Sequence, residues 1–309
     1  MRFSRLLILP AAALLLAGCA ATPAADDGVL RVVASTSVYG DIASAVAGDL
    51  AEVESIVTST AQDPHSYEVT ARDRLELESA DLIVYNGGGY DAFVESVLDA
   101  KSTPARTVEA VEVAGLADHD DADHDHGEHE GHGHLEGLDE HVWYDLHAMA
   151  AVAHAIATEL GELDPAHADE FEANAATFAE SLEAVETDLG DLRDRVSGLG
   201  VVMTEPVPAY LLAEAGLEDV TPEGFAEAIE EGSDVPPALL AAVLAVIADG
   251  RAALVTDNPQ TTGPETIRVL DAAKTAGVPV VSFLELLPEG SGYAEWMAAN
   301  VAALAAALP

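Results

Sequence analysis

Apolar side chains recur at Phe171, Ala175, Phe178, Leu182, Val185, Leu189, Leu192 and Val196, in steps that alternate four and three without a break. That spacing paints one stripe along an α-helix. Asp164-Pro165 supplies an N-cap followed by proline at the first helical position, and Ser197-Gly198 supplies the stop. The predicted helix, residues 164–198, is roughly 50 Å long at 1.5 Å per residue. A sustained seven-residue repeat suits a coiled-coil dimer; it equally suits a single helix whose stripe is buried against lobes on either side. The flanking sequence favours the second arrangement.

On both sides of this helix, short β-rich runs alternate with helical patterns. Before it come runs at 30–35, 53–57, 82–85 and 107–113, with helices expected at 39–47 and 71–79. After it come runs at 201–204, 253–256 and 278–283, with helices at 236–247, 265–276 and 293–308, and Gly277 as a C-terminal cap. Strands alternating with helices predict βαβ units and mainly parallel sheets. The 309 residues suffice for roughly two domains. The expected fold is therefore α/β: two similar lobes, 29–163 and 199–309, joined by one long rigid helix, with a cleft between them. The two halves share no internal sequence repeat.

The N-terminus reads as a leader. Arg2 and Arg5 precede an apolar run from Leu6 to Leu16, too short to span a bilayer as a mature helix. It ends in Leu16-Ala17-Gly18-Cys19, which resembles a bacterial lipobox, making residues 1–18 a signal peptide and Cys19 the lipidated first residue. Residues 19–28 are small and polar and read as a flexible tether. Cys19 is the single cysteine, so a disulfide framework and a cysteine-based zinc knuckle are both excluded.

Charge narrows the ligand. Twelve Lys plus Arg stand against 56 Asp plus Glu, a formal net charge of -44. Nucleic-acid binding needs cationic contacts to phosphate and is excluded, whereas such a field favours cations. Gly87-Gly88-Gly89 lacks the pattern and the lysine of a nucleotide loop. Residues 118–134 interleave His119, His124, His126, His129, His132 and His134 with Asp, Glu and Gly. Imidazole and carboxylate together suit divalent transition metals, and the lack of apolar residues predicts a loop with weak, exchangeable accessory sites.

A selective site needs ordered donors, and in open α/β sheets ligands bind beyond the carboxyl ends of the strands. Those ends supply His65 in Asp63-Pro64-His65, His141 in Glu140-His141-Val142-Trp143, Glu205 after 201–204, Asp257 after 253–256 and Glu285 after 278–283. Two imidazoles and two carboxylates from this set make a closed N2O2 cation site.

The order Asp-Pro-His, His-rich loop, His-Val-Trp, together with the lipobox and the long helix, resembles the zinc/manganese-binding lipoproteins that serve bacterial metal ABC importers. The resemblance covers essentially the whole mature chain. It implies one metal ion between two lobes, held by His65, His141, Glu205 and Glu285, with Asp257 as reserve for the fourth position. It also implies an extracytoplasmic, lipid-anchored monomer that catalyses no reaction and hands its ion to an importer permease. Zinc-type relatives often carry histidine where Glu205 stands, and glutamate there suits Mn2+. Yet Zn2+ binds a given N/O site more tightly, and the His-rich loop belongs to the zinc type, so Zn2+ is expected first and Mn2+ second. A surface adhesin or metal-storage lipoprotein shares these features. A zinc hydrolase would need an open coordination position, and no H-E-x-x-H signature is present.

Overall fold

The computed structural model describes residues 28–100, 103–116 and 139–309. The expected leader, Cys19 and the six histidines of 118–134 lie outside the described residues. The first lobe runs β1 (Leu30–Thr36), α1 (Ser37–Ala47), β2 (Ala51–Val57), α2 (Ala71–Glu78), β3 (Leu82–Tyr85), α3 (Ala92–Asp99), β4 (Arg106–Glu109) and α4 (Ala110–Val113). A 3-10 turn, Val142–Tyr144, leads into α5 (Leu146–Leu163) and then α6 (Ala168–Val196). The second lobe runs β5 (Gly200–Met203), α7 (Ala209–Glu214), β6 (Glu218–Asp219), α8 (Phe225–Glu230), α9 (Pro237–Ala248), β7 (Leu254–Asp257), α10 (Pro264–Ala276), β8 (Val280–Ser282) and α11 (Tyr293–Ala307).

Each lobe is built on a four-stranded parallel sheet, ordered β2-β1-β3-β4 in the first and β6-β5-β7-β8 in the second. The two orders are the same, so the lobes repeat one topology although their sequences do not repeat. Side chains alternate between faces, as strand geometry requires. Val32 and Ala34 of β1, Leu82 and Val84 of β3, and Val201 and Met203 of β5 face the core shared with α6. Val33, Ile83 and Tyr85 face a separate core under α2 and α3, while Val202 and Val255 face one under α9 and α10. Burial on both faces explains why the inner strands read as continuous apolar runs.

All eight residues of the stripe, Phe171 to Val196, are buried, and they lie in the core that both lobes share. α6 packs against α5, α1, α7 and α11. The stripe is thus consumed within one chain. Each of its larger side chains contributes roughly 1.5–3 kcal/mol on burial.

Two local expectations are corrected. The long helix begins at Ala168, not beside Pro165. Asp164 instead caps the end of α5, and its carboxylate accepts from the Ala166 N–H and holds His167 Nδ1 at 2.6 Å, shaping the turn between the helices. The run 107–113 is strand only to Glu109, because β3 ends at Tyr85 and the Val111 N–H turns onto the Asn86 carbonyl.

One segment of the second lobe is fastened to the first. After β8, Leu286 inserts into the core under α2 and α3. The Tyr144 hydroxyl donates to the Leu284 carbonyl at 2.7 Å, and the Leu287 N–H donates to Ser37 Oγ at 3.2 Å. Asp41 accepts the Tyr293 N–H at 2.8 Å, and the Tyr293 hydroxyl donates to the Trp143 carbonyl. Residues 284–293 thus bridge the lobes, since Glu285 is also hydrogen-bonded to Asn258 and Gln260 of the second lobe.

Leu182→Ala should lower the unfolding free energy by about 2–5 kcal/mol in a denaturant titration. Glu183→Ala, on the exposed face of the same turn, should stay within about 0.5 kcal/mol of the parent. Equal effects at the two positions would contradict the placement of the stripe.

Candidate metal centre

The strand ends of both sheets point into one cleft. After β2, Asp63 shapes the loop by accepting from the His65 N–H at 2.9 Å and the Ser66 hydroxyl at 2.8 Å, which presents His65 to the cleft. After β3, Gly87, Gly88 and Gly89 take successive φ values of 80°, 66° and 93°. Glycine adopts this left-handed path without the Cβ clash of other residues, and it delivers Tyr90 beneath His65, ring centroids 4.7 Å apart and edge-on. Asp91 closes that turn by accepting the N–H groups of Asn86 and Gly87.

His141 precedes the 3-10 turn and is fully buried against Trp143. Its Nδ1 lies 2.8 Å from Asp139 Oδ1. A carboxylate there holds hydrogen on Nδ1 and leaves Nε2 as the coordinating atom. Nε2 stands 3.0 Å from Glu230 Oε1 without the alignment of a hydrogen bond. One donor atom each from His65, His141 and Glu230 lie within 4.8 Å of one another, and the same holds for Asp63, His65 and Glu285. His65 Nε2 is 3.7 Å from Glu285 Oε2, and its Nδ1 is 3.8 Å from Glu140 Oε1. Both imidazoles and Glu285 thus converge where the strand ends placed them.

Glu205 is buried in the same wall but is engaged otherwise. Asn258 Nδ2 donates to Glu205 Oε2 at 2.9 Å and to Glu285 Oε1 at 2.6 Å, and the Thr261 hydroxyl donates to Glu205 Oε1. Asp257, at the end of β7, is in none of the compact three-donor sets among the described residues, and Ser282 Oγ donates to its Oδ1 at 2.7 Å. Glu230 escaped the sequence reading. β6, which leads toward it, is two exposed acidic residues with no apolar run to betray a strand. The signal available was the acidic pair Glu230-Glu231 at a helix end, just before Gly232.

Electrostatics show what the cleft lacks. Burial pushes the Glu285 carboxyl up to about 7, with the His141 charge opposing and Asp63 and Glu205 adding to the rise. Burial likewise raises Glu205, against hydrogen bonds from Thr261 and Asn258, and Glu230, against His141. For His141 burial alone would depress the pKa, but the Asp139 and Glu230 carboxylates outweigh it and hold it well above the usual histidine range. Carboxylates that resist ionisation beside a buried imidazole that holds its proton describe a site short of positive charge. The donor set, imidazole nitrogen with carboxylate oxygen, suits Zn2+, Mn2+ or Fe2+.

Two parallel-sheet lobes facing each other across one buried donor cluster, with a long helix spanning both, define the helix-linked class of solute-binding folds. The chain belongs to the ZnuA family, described as zinc-uptake complex component A, periplasmic, whose pattern matches residues 32–307. It is 30% identical over 197 residues to the iron-binding protein YfeA of Yersinia pestis, covering 62% of this chain and 58% of that protein. It is 30% identical over 182 residues to the manganese-binding lipoprotein MntA of Halalkalibacterium halodurans, covering 58% of this chain and 56% of that one. The chain thus matches less than two thirds of the length of these curated relatives. Among solved structures, the laminin-binding protein Lmb of Streptococcus agalactiae superposes with a TM-score of 0.71 at 24% identity, over 91% of this chain and 100% of that one. That likeness is one of fold.

The buried acids give a pH signature to the metal-free protein. Glu285 rises from 4.5 to about 7 and Asp91, pushed up mainly by burial, from 3.8 to about 6. Both bind their protons more tightly folded than unfolded, so their stabilisation is complete below the unfolded values and is lost as pH rises through about 6 to 7. The melting temperature of chelator-treated protein should therefore fall between about pH 5 and about pH 8, and Glu285→Gln should flatten part of the decline. A melting temperature that climbs across this range would contradict the assignment.

Proposed function

We propose that this chain is an extracytoplasmic receptor for a divalent transition metal, Zn2+ first and Mn2+ second, which it hands to the permease of an ABC importer. The observation that carries the reading is the cleft itself. A fully buried imidazole, its outer nitrogen fixed by Asp139, directs Nε2 without a hydrogen bond toward a second imidazole and carboxylates from the other lobe. The proposed ligands are His65, His141 and Glu285, with one further carboxylate from the second lobe, for which the sequence named Glu205.

Family membership supports metal uptake, and zinc is the ion in the family's description. The similar proteins are named for iron and manganese, which agrees with a mixed N/O donor set of no extreme softness. Zn2+ leads because it binds such a set more tightly than Mn2+. The lipobox at Cys19 supports a lipid anchor, as does the lipoprotein named among the relatives. The role is capture and release without catalysis. The histidines of 118–134 would serve as accessory, exchangeable sites that feed the cleft.

Competitive titration of the purified protein with Zn2+ and Mn2+ against a chromophoric chelator tests this reading. One tight zinc site per chain is expected, absent in His65→Ala and retained when residues 118–134 are deleted. Tight manganese binding that withstands modest Zn2+ would move the assignment to manganese, and the lack of any tight site in the deleted protein would end the receptor reading. Metal binding needs unprotonated imidazole. With His141 held above its usual range, zinc affinity should weaken on acidification from above neutrality, by about tenfold per pH unit for each proton displaced. An affinity that stays flat from about pH 8 to about pH 6 would exclude histidine ligation.

A further inference from the structure

The two carboxylate oxygens of Glu285 are held from opposite sides of the cleft. From the second lobe, Asn258 Nδ2 donates to Oε1 at 2.6 Å, and the same amide donates to Glu205 Oε2 at 2.9 Å. From the first lobe, the Tyr90 hydroxyl donates to Oε2 at 3.3 Å. A carboxylate oxygen carries two lone pairs, so Oε2 keeps one beyond the tyrosine, and it is Oε2 that lies 3.7 Å from His65 Nε2. The Gln260 side chain accepts the Glu285 N–H at 2.9 Å, which fixes the backbone as well. Glu285 thus offers the cleft one oxygen. Turning to offer both would break the short bond from Asn258.

Tyr90 is itself set in place by the first lobe. The left-handed path of Gly87, Gly88 and Gly89 carries the chain to it. A Cβ at Gly87 would collide with the Glu109 carboxylate, which the Tyr85 hydroxyl holds at 2.8 Å. The Tyr90 N–H donates to the Gly87 carbonyl at 3.3 Å. The ring is buried, edge-on to His65 and tilted against Trp143, both at 4.7 Å between centroids, with His141 at 6.2 Å. Phenylalanine would fill this space equally well, whereas a buried tyrosine must find a partner for its hydroxyl. The partner is the one carboxylate oxygen directed at His65. A single side chain therefore places two donors, His65 through the ring and Glu285 through the hydroxyl.

Protein-bound Zn2+ is most often four-coordinate and tetrahedral. Mn2+ favours six oxygen-rich contacts, a number that carboxylates help to reach by giving both oxygens. Resting on the receptor reading above, we propose that Tyr90 is a positioning residue for metal choice: with Asn258 it clamps Glu285 as a single-oxygen donor, which fits four-coordinate Zn2+ and withholds from Mn2+ the second oxygen that a six-coordinate shell would use. The hydroxyl sets the direction of Oε2 without touching the ion.

The test compares the intact purified protein with Tyr90→Phe, which removes the hydroxyl and keeps the ring, and with His65→Ala. Each is titrated with Zn2+ and with Mn2+ against a chelator and, separately, loaded with one equivalent of Co2+ for visible absorption, whose ligand-field bands are stronger for a tetrahedral ion than for one with five or six donors. Circular dichroism and metal-free melting confirm that each variant is folded. Tyr90→Phe should weaken Zn2+ by about tenfold, within the range for loss of a group that orients a ligand, and should weaken the Co2+ bands. Its Mn2+ affinity should stay within about threefold of the parent, so that the preference for Zn2+ narrows. A change that is merely structural would lower both metals together. If both affinities fall equally, or if Zn2+ binding and the Co2+ bands match those of the parent, the clamp does not select the metal and the proposal is wrong, while loss of Zn2+ in His65→Ala keeps the receptor reading intact. If the parent protein itself holds no tight Zn2+, the receptor reading fails and this proposal with it.

Discussion

Taking a carboxylate out of water costs several kcal/mol unless donors or a cation replace the solvent, and this cleft removes Glu205, Glu230 and Glu285 together. Asn258 and Thr261 compensate part of that burial by hydrogen bonding. His141, held protonated between Asp139 and Glu230, compensates another part. The remainder is unmet, and it is unmet at one point, where the imidazoles and carboxylates of two lobes converge. A divalent ion is the economical solution, since it supplies two positive charges and displaces the protons that the metal-free site is forced to keep. The acidic surface acts at longer range, drawing cations without choosing among them.

The fold makes such a concentration of charge tolerable by building everything around it from apolar material. α6 fuses the two lobes through one stripe, so the core that flanks the cleft is continuous from β1 to β5. The segment 284–293 crosses back and anchors Leu286 in the first lobe. Glu285 therefore sits in a segment that contacts both lobes, hydrogen-bonded itself to Asn258 and Gln260. Gln260 ties the lobes by hydrogen bonds: its side chain reaches both the Glu285 N–H and the Gln62 carbonyl.

Much of this was written plainly in the sequence. The four-three stripe of α6, the apolar runs of β1, β3, β5 and β7, and the Gly277 cap all report physical periods that tertiary structure had no reason to override. His65, His141 and Glu285 were legible because each sits just past a strand end in an open α/β sheet. Glu230 was not, because β6 consists of two exposed acids and its pairing with β5 depends on the rest of the lobe being folded. Asp164-Pro165 misled for a related reason: a good N-cap sequence served as a C-cap once α5 reached it. That Asp257 would accept from Ser282 is a matter of strand register, which no local signal carries.

Zinc K-edge X-ray absorption on protein loaded with one equivalent of Zn2+ addresses the central claim most directly, because it counts imidazoles and reads the remaining donors without reference to any variant. Two imidazole nitrogens, with all other near donors oxygen, is the expected result. A shell with three or more imidazoles would place the ion elsewhere, among histidines outside the cleft, and a shell with none would remove His65 and His141 from metal binding altogether.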